Sequence, residues 1–155
     1  RGPFEMRQTP LGRMRIRQDP EGRQWLALVD LVESWKRKGE GMLQIPGDDL
    51  MLATGQVPPH PFGSLDIGIR GRETRVADLL RRDASIRHVV LAYREGDFYW
   101  FGTEYGGGLA DCLREEWEIE SAIGDAGIPF WLLTRQRQRE QGITRTIYLL
   151  RRKNG

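Results

Sequence analysis

Residues 74–108 read TRVADLLRRDASIRHVVLAYREGDFYWFGTEYGGG, and they indicate the fold more clearly than any other stretch of the chain. Thr74 is a candidate N-cap for a helix over residues 75–82, whose apolar residues recur at helical spacing. Residues 86–93 are rich in β-branched side chains and almost continuously apolar, which predicts a central strand. Residues 98–101 predict a second strand that pairs with the first across a turn.

Before this stretch, the sequence predicts a hairpin and a helix. Residues 14–17 alternate apolar and basic side chains, as a strand does. Residues 19–22, Asp-Pro-Glu-Gly, are typical of a turn, and residues 25–28 are expected to return as the second strand of the hairpin. The apolar positions then take helical spacing, and residues 36–39, Lys-Arg-Lys-Gly, predict the end of a helix.

Residues 39–63 contain half of the chain's prolines together with several glycines, so they predict a long loop. A short strand or turn over residues 42–45 is the one interruption expected there. Residues 65–69 alternate Leu and Ile with other residues and predict a further strand. A loop of this length is either functional or a linker between two halves of the chain.

The C-terminal third predicts a helix followed by two strands. Three glycines at 106–108 lead into a helix over about residues 109–125, with apolar residues along one stripe and carboxylates opposite. Residues 128–133 and 143–150 are apolar and predict two strands. The charged loop over residues 135–142 is expected to join them as a hairpin.

Together these elements predict an α+β or α/β fold, with a mixed β-sheet of about five to seven strands packed by two or three helices. Residues 6–155 are expected to form a single domain. The alternative is two halves, 6–45 and 64–155, joined by the Gly/Pro-rich loop 46–63. Residues 1–5 are interpreted as a remnant of expression and are left out of the predicted fold.

The composition is that of an ordinary folded protein. The 155 residues are 39% hydrophobic, and their net charge of +2 is too small to argue for nucleic acid. No apolar run approaches the roughly 20 residues that span a bilayer, so no membrane contact is expected. The first residues also lack a signal-peptide pattern. The single cysteine, Cys112, excludes an internal disulfide and is expected to be a small buried hydrophobe, so the expected location is cytoplasmic.

Part of the opening stretch resembles a CBS motif, the unit that pairs into Bateman modules. Residues 74–80 resemble the family's first helix, and residues 86–91 resemble its apolar strand. Glu95-Gly96 resembles the family's turn, and Thr103 resembles the Thr or Ser at the end of its next strand. The resemblance covers about 35 residues well and the N-terminal half poorly.

The CBS resemblance implies an α/β sandwich that binds adenine nucleotides in a cleft and regulates a neighbouring domain. Two positions depart from the family's pattern. Gly106 stands where the family has the Asp that holds the ribose, and Trp100 stands where it usually has glycine. The family's ribose contact is therefore missing from this sequence.

A contact surface is predicted at the aromatic end of the opening stretch. It combines a guanidinium, two aromatic rings and a glycine loop that is either a flexible turn or an anion cradle at a helix start. Its residues are Arg94, Tyr99, Trp100, Gly106, Gly107 and Gly108. We therefore expect a non-catalytic binding or regulatory module, without a cofactor, in a bacterial regulatory or defence assembly. Its partner is expected to be a protein or a small ligand, and a homodimer is left open.

Nucleic-acid binding is the first alternative. The chain has 21 arginines against three lysines, and the planar fork of arginine suits phosphate, although genomic base composition also raises arginine content. The contact would be made by arginines of the predicted C-terminal hairpin. These are Arg135, Arg137, Arg139 and Arg145.

A metal-dependent hydrolase is the second alternative, less expected than a binding module. Glu115 to Glu120 include four glutamates, and paired carboxylates can bind metal or move protons. The competing interpretation is a solvated helix face, because no lysine lies between Lys38 and Lys153 to complete a nuclease-type set. The two histidines, His60 and His88, lack zinc-ligand spacing, so no metal site is expected. His88 is expected to be a half-buried strand residue.

Overall fold

A computed structural model of the chain describes residues 3–10, 12–59, 71–94, 107–124, 127–143 and 145–153, with the backbone alone at Tyr93 and Arg94. The elements, in chain order, are β1 (Phe4–Thr9), β2 (Gly12–Arg17), α1 (Pro20–Arg37), β3 (Gly41–Ile45), α2 (Asp49–Ala53), α3 (Arg72–Arg82), β4 (Ile86–Arg94), α4 (Gly107–Glu116), β5 (Trp117–Gly124), a 3-10 turn (Phe130–Leu132), α5 (Arg135–Gln141) and β6 (Arg145–Arg152). The strands predicted over 65–69 and 98–101, and His60, lie outside the described residues.

The six described strands form two sheets. The larger sheet has the order β3-β4-β6-β5, with β3 parallel to β4 and β6 antiparallel to both of its neighbours. β1 and β2 form a separate antiparallel ribbon. The mixed α+β class is therefore confirmed. The strands of the described residues are, however, divided between two sheets, and five helices accompany them where two or three were expected.

Helices cover both faces of the larger sheet. On one face, Trp35 of α1 stacks on His88 of β4 with ring centroids 3.9 Å apart, and we call this the α1 face. Arg151 of β6 is the cross-strand neighbour of His88 and shares its face of the sheet. Successive residues of a strand point to opposite faces, so Arg152 points to the other face. There its guanidinium donates to the carbonyl oxygen of Leu80 in α3. Cover on both sides explains why β4 and β6 are apolar along most of their length.

The core fills the space between the sheet and these helices. Its largest fully buried side chains are Trp117, Tyr148, Phe130, Leu43, Ile45, Met51, Leu80 and Leu91. Burying one such side chain contributes about 1.5–3 kcal/mol to folding. Cys112 is also fully buried, as expected of a small hydrophobe, and burial raises the pKa of its thiol to about 12. None of the described helices is both long enough and apolar enough to cross a membrane.

The predicted N-terminal hairpin of residues 14–28 is wrong in its second half. Residues 19–22 begin α1: Pro20 is its first residue, and the Asp19 carboxylate accepts from the Gly22 N–H over 2.7 Å. Asp at an N-cap with Pro at the first helical position is as favourable in a helix as in a turn. Residues 25–28 therefore belong to α1, which ends at Arg37 close to the predicted stop.

Part of the predicted loop 39–63 is regular. Residues 42–45 belong to β3, which confirms the short strand expected there. Asp49–Ala53 form α2, which was not predicted. The helix expected over 75–82 begins earlier, at Arg72, after Gly71 with its φ of 88°. Thr74 therefore lies inside α3 and is not its N-cap, which was a wrong prediction.

The helix predicted over 109–125 is too long. α4 ends at Glu116, and Trp117 begins β5. From Trp117 onward inward-facing residues alternate with exposed glutamates, Glu118 and Glu120, and this period of two belongs to a strand.

The predicted C-terminal hairpin is wrong, although its second strand is confirmed. Residues 128–133 hold a single 3-10 turn instead of a strand, since Pro129 has no N–H to give to a β-ladder. Residues 135–141 of the charged segment form α5, where the Thr134 hydroxyl accepts from the Arg137 N–H. β6 covers most of the strand predicted over 143–150.

The β1–β2 ribbon packs against α1. Arg7 of β1 forms an ion pair with Asp30 of α1, and Ile16 of β2 is buried. Phe4 and Glu5, which the predicted fold leaves out, begin β1.

Candidate functional site at the carboxyl ends of β3 and β4

The structure contains a cleft of about 380 Å³ between the β1–β2 ribbon and the start of α1. Met14 and Ile16 of β2 form its apolar side. Its other side is lined by Trp25 of α1, Asp49 of α2 and Arg145 of β6. We call this the Trp25 cleft.

The fold places the cleft at the carboxyl ends of the parallel strands β3 and β4. Trp35, near the end of α1, stacks on His88 near the start of β4, whereas Glu21, at the start of α1, pairs with Arg145. Arg145 is the cross-strand neighbour of Arg94, the last residue of β4. α1 therefore runs antiparallel to β4, and its first turns lie over the strand ends. In open sheets of mostly parallel strands, ligands bind at the carboxyl ends of the strands.

A chain of hydrogen bonds fixes the indole of Trp25. Its Nε1–H donates to Oδ2 of Asp49 over 3.1 Å, and Oδ1 of the same carboxylate accepts from Nε2 of Gln44 over 2.5 Å. Gln44 lies on β3, is buried, and accepts through its amide oxygen from the Leu50 N–H over 2.8 Å. The half-buried ring of Trp25 is thus anchored through Asp49 to the central sheet.

Four of the charged residues at the cleft form two ion pairs. Arg145 Nη1 lies 3.0 Å from Oε1 of Glu21, and Arg17 Nη1 lies 3.8 Å from Oδ2 of Asp19. The first pair is the stronger contact, since the Arg145 side chain is only 19% exposed, whereas exposed pairs contribute little. The cleft therefore combines apolar walls and an indole with a guanidinium–carboxylate pair that offers both donors and an acceptor.

The carboxylates that line the cleft are engaged in contacts within the protein. Asp19 caps α1, Glu21 holds Arg145, and Asp49 holds Trp25. Among the described lining residues, there is no His, Cys, Ser or Lys that could serve as a nucleophile or a proton-transfer group near neutral pH. No group of three His, Cys, Asp or Glu side chains in the described part of the chain could hold a metal ion.

The predicted contact surface is only partly within the described residues. Tyr99, Trp100 and Gly106 lie outside them, and Arg94 is placed by its backbone directly opposite Arg145 of the cleft. Gly107 and Gly108 begin α4 and are exposed, as a solvent-facing contact requires. β5 runs parallel to β4, and α4 ends where β5 begins. The start of α4 therefore lies at the same end of the sheet as the cleft.

The start of α4 is a poor anion site. A Cβ built on Gly107 would lie 3.9 Å from Oε2 of Glu73 in α3, so an acidic side chain already approaches this helix end. Burial raises the pKa of the Glu73 carboxyl. A carboxylate near a helix N-terminus is favoured by the helix dipole and would repel a second anion.

The arginines of the nucleic-acid alternative are not brought together by a hairpin. Arg135, Arg137 and Arg139 lie on α5 and are exposed, with Arg137 on the side of the helix opposite to the other two. Arg145 lies on β6, where it is partly buried and paired with Glu21 in the cleft.

The glutamates of the hydrolase alternative are divided between two elements. Glu115 and Glu116 end α4, whereas Glu118 and Glu120 lie on β5. Nε of Arg81 donates to Oε2 of Glu116 over 2.8 Å, and this hydrogen bond lowers the pKa of the Glu116 carboxyl. Glu116 is therefore engaged in tying α4 to α3.

His88 is more buried than expected. Its side chain is 5% exposed, its ring lies parallel to that of Trp35, and its Nε2 is hydrogen-bonded to Oε2 of Glu40. The hydrogen bond from His88 lowers the pKa of the Glu40 carboxyl. The pair joins the end of α1 to β4 and lies at the opposite end of α1 from the Trp25 cleft.

A comparison of the chain with protein-family models, with curated proteins and with solved structures finds no match in any of the three. The CBS resemblance of residues 74–108 stays a prediction. Of that stretch, the structure describes residues 74–94 and 107–108, so the segment with Thr103, Trp100 and Gly106 lies outside it.

Trp25, Asp49 and Glu21 were missed as site residues in the sequence. The sequence patterns predict a strand at Trp25 and a loop at Asp49. Two features of the sequence indicate the correct structure: an N-cap Asp before Pro20 and an amphipathic run that ends at Trp35. Together they predict one long helix. That helix would have placed Trp25 on its second turn, close to its start.

Proposed function

We propose that the protein is a non-catalytic binding module and that the Trp25 cleft is its ligand site. The observation that carries the proposal is the anchored indole: Trp25 lines an open cleft while its N–H is held by Asp49 over 3.1 Å. A ring fixed in this way loses little conformational freedom when a ligand stacks on it. The position at the carboxyl ends of two parallel strands supports the same assignment.

The chemistry of the lining favours a neutral planar ligand. The Arg145–Glu21 pair balances its own charge, so a strongly charged ligand would gain little there. A planar group with one donor and one acceptor, such as a nucleobase or a carboxamide, could stack on Trp25 and bond to both members of the pair. The ligand is either a free small molecule or such a group on a partner protein.

The regulatory role, the cytoplasmic location and the bacterial setting are retained as parts of this proposal. A free and buried Cys112 fits a reducing compartment. A non-catalytic module with a ligand cleft would act by changing the behaviour of whatever it is bound to. A homodimer stays a prediction.

Saturation-transfer NMR with adenine, uracil and benzamide as probes would test the ligand site. We expect at least one probe to receive saturation from the wild-type protein and from Trp131→Ala, which changes a half-buried tryptophan of the 3-10 turn, outside the cleft. Trp25→Ala should abolish the transfer. No transfer to any probe, or equal transfer in Trp25→Ala, would contradict the assignment.

A further inference from the structure

We propose that the outward face of the β1–β2 ribbon binds single-stranded nucleic acid. This surface, the ribbon face, consists of Phe4, Met6, Gln8, Arg13, Arg15 and Arg17. Arg15 and Arg17 also line the rim of the Trp25 cleft, but the proposal does not depend on the function proposed for that cleft.

The register of the ribbon puts these six side chains on one side. Directly paired residues of an antiparallel ladder share a face, and the pairs here are Phe4 with Arg17, Met6 with Arg15, and Gln8 with Arg13. The opposite side faces α1, because Ile16 is buried there and Arg7 pairs with Asp30. The side chains of the ribbon face therefore lie on the side of the ribbon turned away from α1.

The ribbon face exposes two large apolar side chains. Phe4 is 39% exposed and Met6 is 58% exposed. Only two other large hydrophobic residues in the described parts of the chain are exposed, Val57 and Leu132, and they lie elsewhere. Isolated exposed apolar residues need no explanation, but two neighbours on one face together with arginines indicate a contact surface.

The charge on the ribbon face is not balanced. Arg13, Arg15 and Arg17 are exposed, and the six residues include no acid, although the chain as a whole has 22 acidic residues against 24 basic ones. Asp19, at the end of the ribbon, reaches only Arg17, across 3.8 Å. Charge complementarity therefore calls for a polyanion.

The aromatic contact favours unpaired bases over other polyanions. The guanidinium carbon of Arg15 lies 3.7 Å from the centroid of the Phe4 ring, so an arginine plane and an aromatic ring are already stacked in the open. Bases stack on exposed aromatic rings and on guanidinium planes, and they can do so only when they are not buried in a duplex. An anionic membrane or an acidic peptide would use the charge but not this stack.

The size of the ribbon face suits a short segment of single strand. Side chains on one side of a strand recur about every 6.8 Å, so Arg13 to Arg17 span about 14 Å. At about 3.4 Å per stacked nucleotide this covers about four nucleotides. Three arginines could neutralise three phosphates while Phe4 accepts a base.

Fluorescence anisotropy with a labelled single strand of roughly 12 nucleotides would test the proposal, once with DNA and once with RNA. With three phosphates at about −0.7 each, the slope of log K against log salt should be about −2, so binding should weaken about 20-fold between about 50 mM and about 200 mM salt. The triple variant Arg13→Ala, Arg15→Ala, Arg17→Ala should bind at least about tenfold more weakly and flatten the slope. Phe4→Ala should weaken binding by about tenfold with the slope unchanged.

The matched control removes the same charge from α5, with Arg135→Ala, Arg137→Ala and Arg139→Ala. It should change the affinity by less than about twofold, because loss of net charge alone acts only through the long-range field. Equal weakening by both triple variants would overturn the proposal, as would no binding at low salt. Binding to duplex DNA, to vesicles with anionic lipid or to a polyglutamate peptide as tight as to the single strand would also overturn it. All the substituted arginines are exposed, and an unchanged melting temperature would confirm that each variant is folded.

Discussion

The indole N–H of Trp25 and the carboxylate of Asp49 are joined by a 3.1 Å hydrogen bond between residues 24 positions apart in the chain. This bond connects α1 to the first residue of α2, and Gln44 continues the connection to the central strands through the second carboxylate oxygen. Asp49 is therefore the residue that fixes the ring at the cleft.

Replacing Asp49 should lower both stability and ligand binding. Asp49→Ala removes the acceptor of Trp25 and leaves the buried Nε2 of Gln44 without its partner, which costs about 1–3 kcal/mol of unfolding free energy. Asp48→Ala is the matched control, since the Asp48 side chain makes no cap hydrogen bond. Urea unfolding of the two variants would compare them, and an equal effect of both would refute the role given to Asp49.

Two glycines at helix starts should respond in opposite directions to alanine. A Cβ on Gly22 would lie 1.8 Å from the carbonyl oxygen of Arg17, so Gly22→Ala must push the ribbon away from α1 and should cost more than about 2 kcal/mol. A Cβ on Gly108 meets nothing within 4 Å, and Gly108→Ala in α4 should stabilise by about 0.5–1 kcal/mol. Thermal unfolding would measure both, and a stable Gly22→Ala variant would show that the ribbon does not pack as described.

The Glu40–His88 contact should contribute to stability above the acid range. The hydrogen bond from His88 lowers the pKa of Glu40 in the folded state from its ordinary value of 4.5. A depressed carboxyl pKa adds stability that is present above the unfolded value and is lost as the pH falls through the folded value.

Glu40→Gln should therefore be less stable than the wild type at neutral pH, and the difference should shrink as the pH falls below the ordinary value for glutamate. Melting temperatures of the two proteins across that range would show it. A difference that stayed constant or grew on acidification would contradict the assignment. Glu118→Gln, which changes an exposed glutamate of β5, is the control for a general change in charge.

The parts of the fold that sequence predicts well are those in which local pattern and tertiary environment agree. Residues 86–94 are apolar on both sides because helices cover both faces of β4, and such a run has no competing interpretation as a surface helix. The end of α1 was also predictable, since basic residues followed by Gly39 with a φ of 73° are a common stop.

The errors arise where one local signal suits two structures. Asp19-Pro20 is favourable both at a turn and at a helix start, and the burial of Leu28, Val32 and Trp35 along one side of α1 decides for the helix. At Trp117 the helical stripe of α4 passes without a break into the alternation of β5. In both places packing in the folded state, rather than propensity, sets the boundary.

The Trp25 cleft could not be derived from sequence, because its residues come from four separate elements. Trp25 and Asp49 meet only if residues 25–28 are helical, and Arg145 reaches Glu21 only through the strand order of the larger sheet. The ribbon face likewise depends on tertiary structure, because the register of β1 and β2 places Phe4 and Arg15 on the same surface.

The most direct test of the central claim is the indole N–H signal of Trp25 in a ¹⁵N NMR spectrum, identified by its loss in Trp25→Phe. Titration with a probe found by saturation transfer should shift this signal and leave that of Trp117, which is buried in the core, in place. A shift at Trp25 that saturates with the ligand is the result that the Trp25 cleft predicts. A ligand that binds while the Trp25 signal stays unmoved would contradict it.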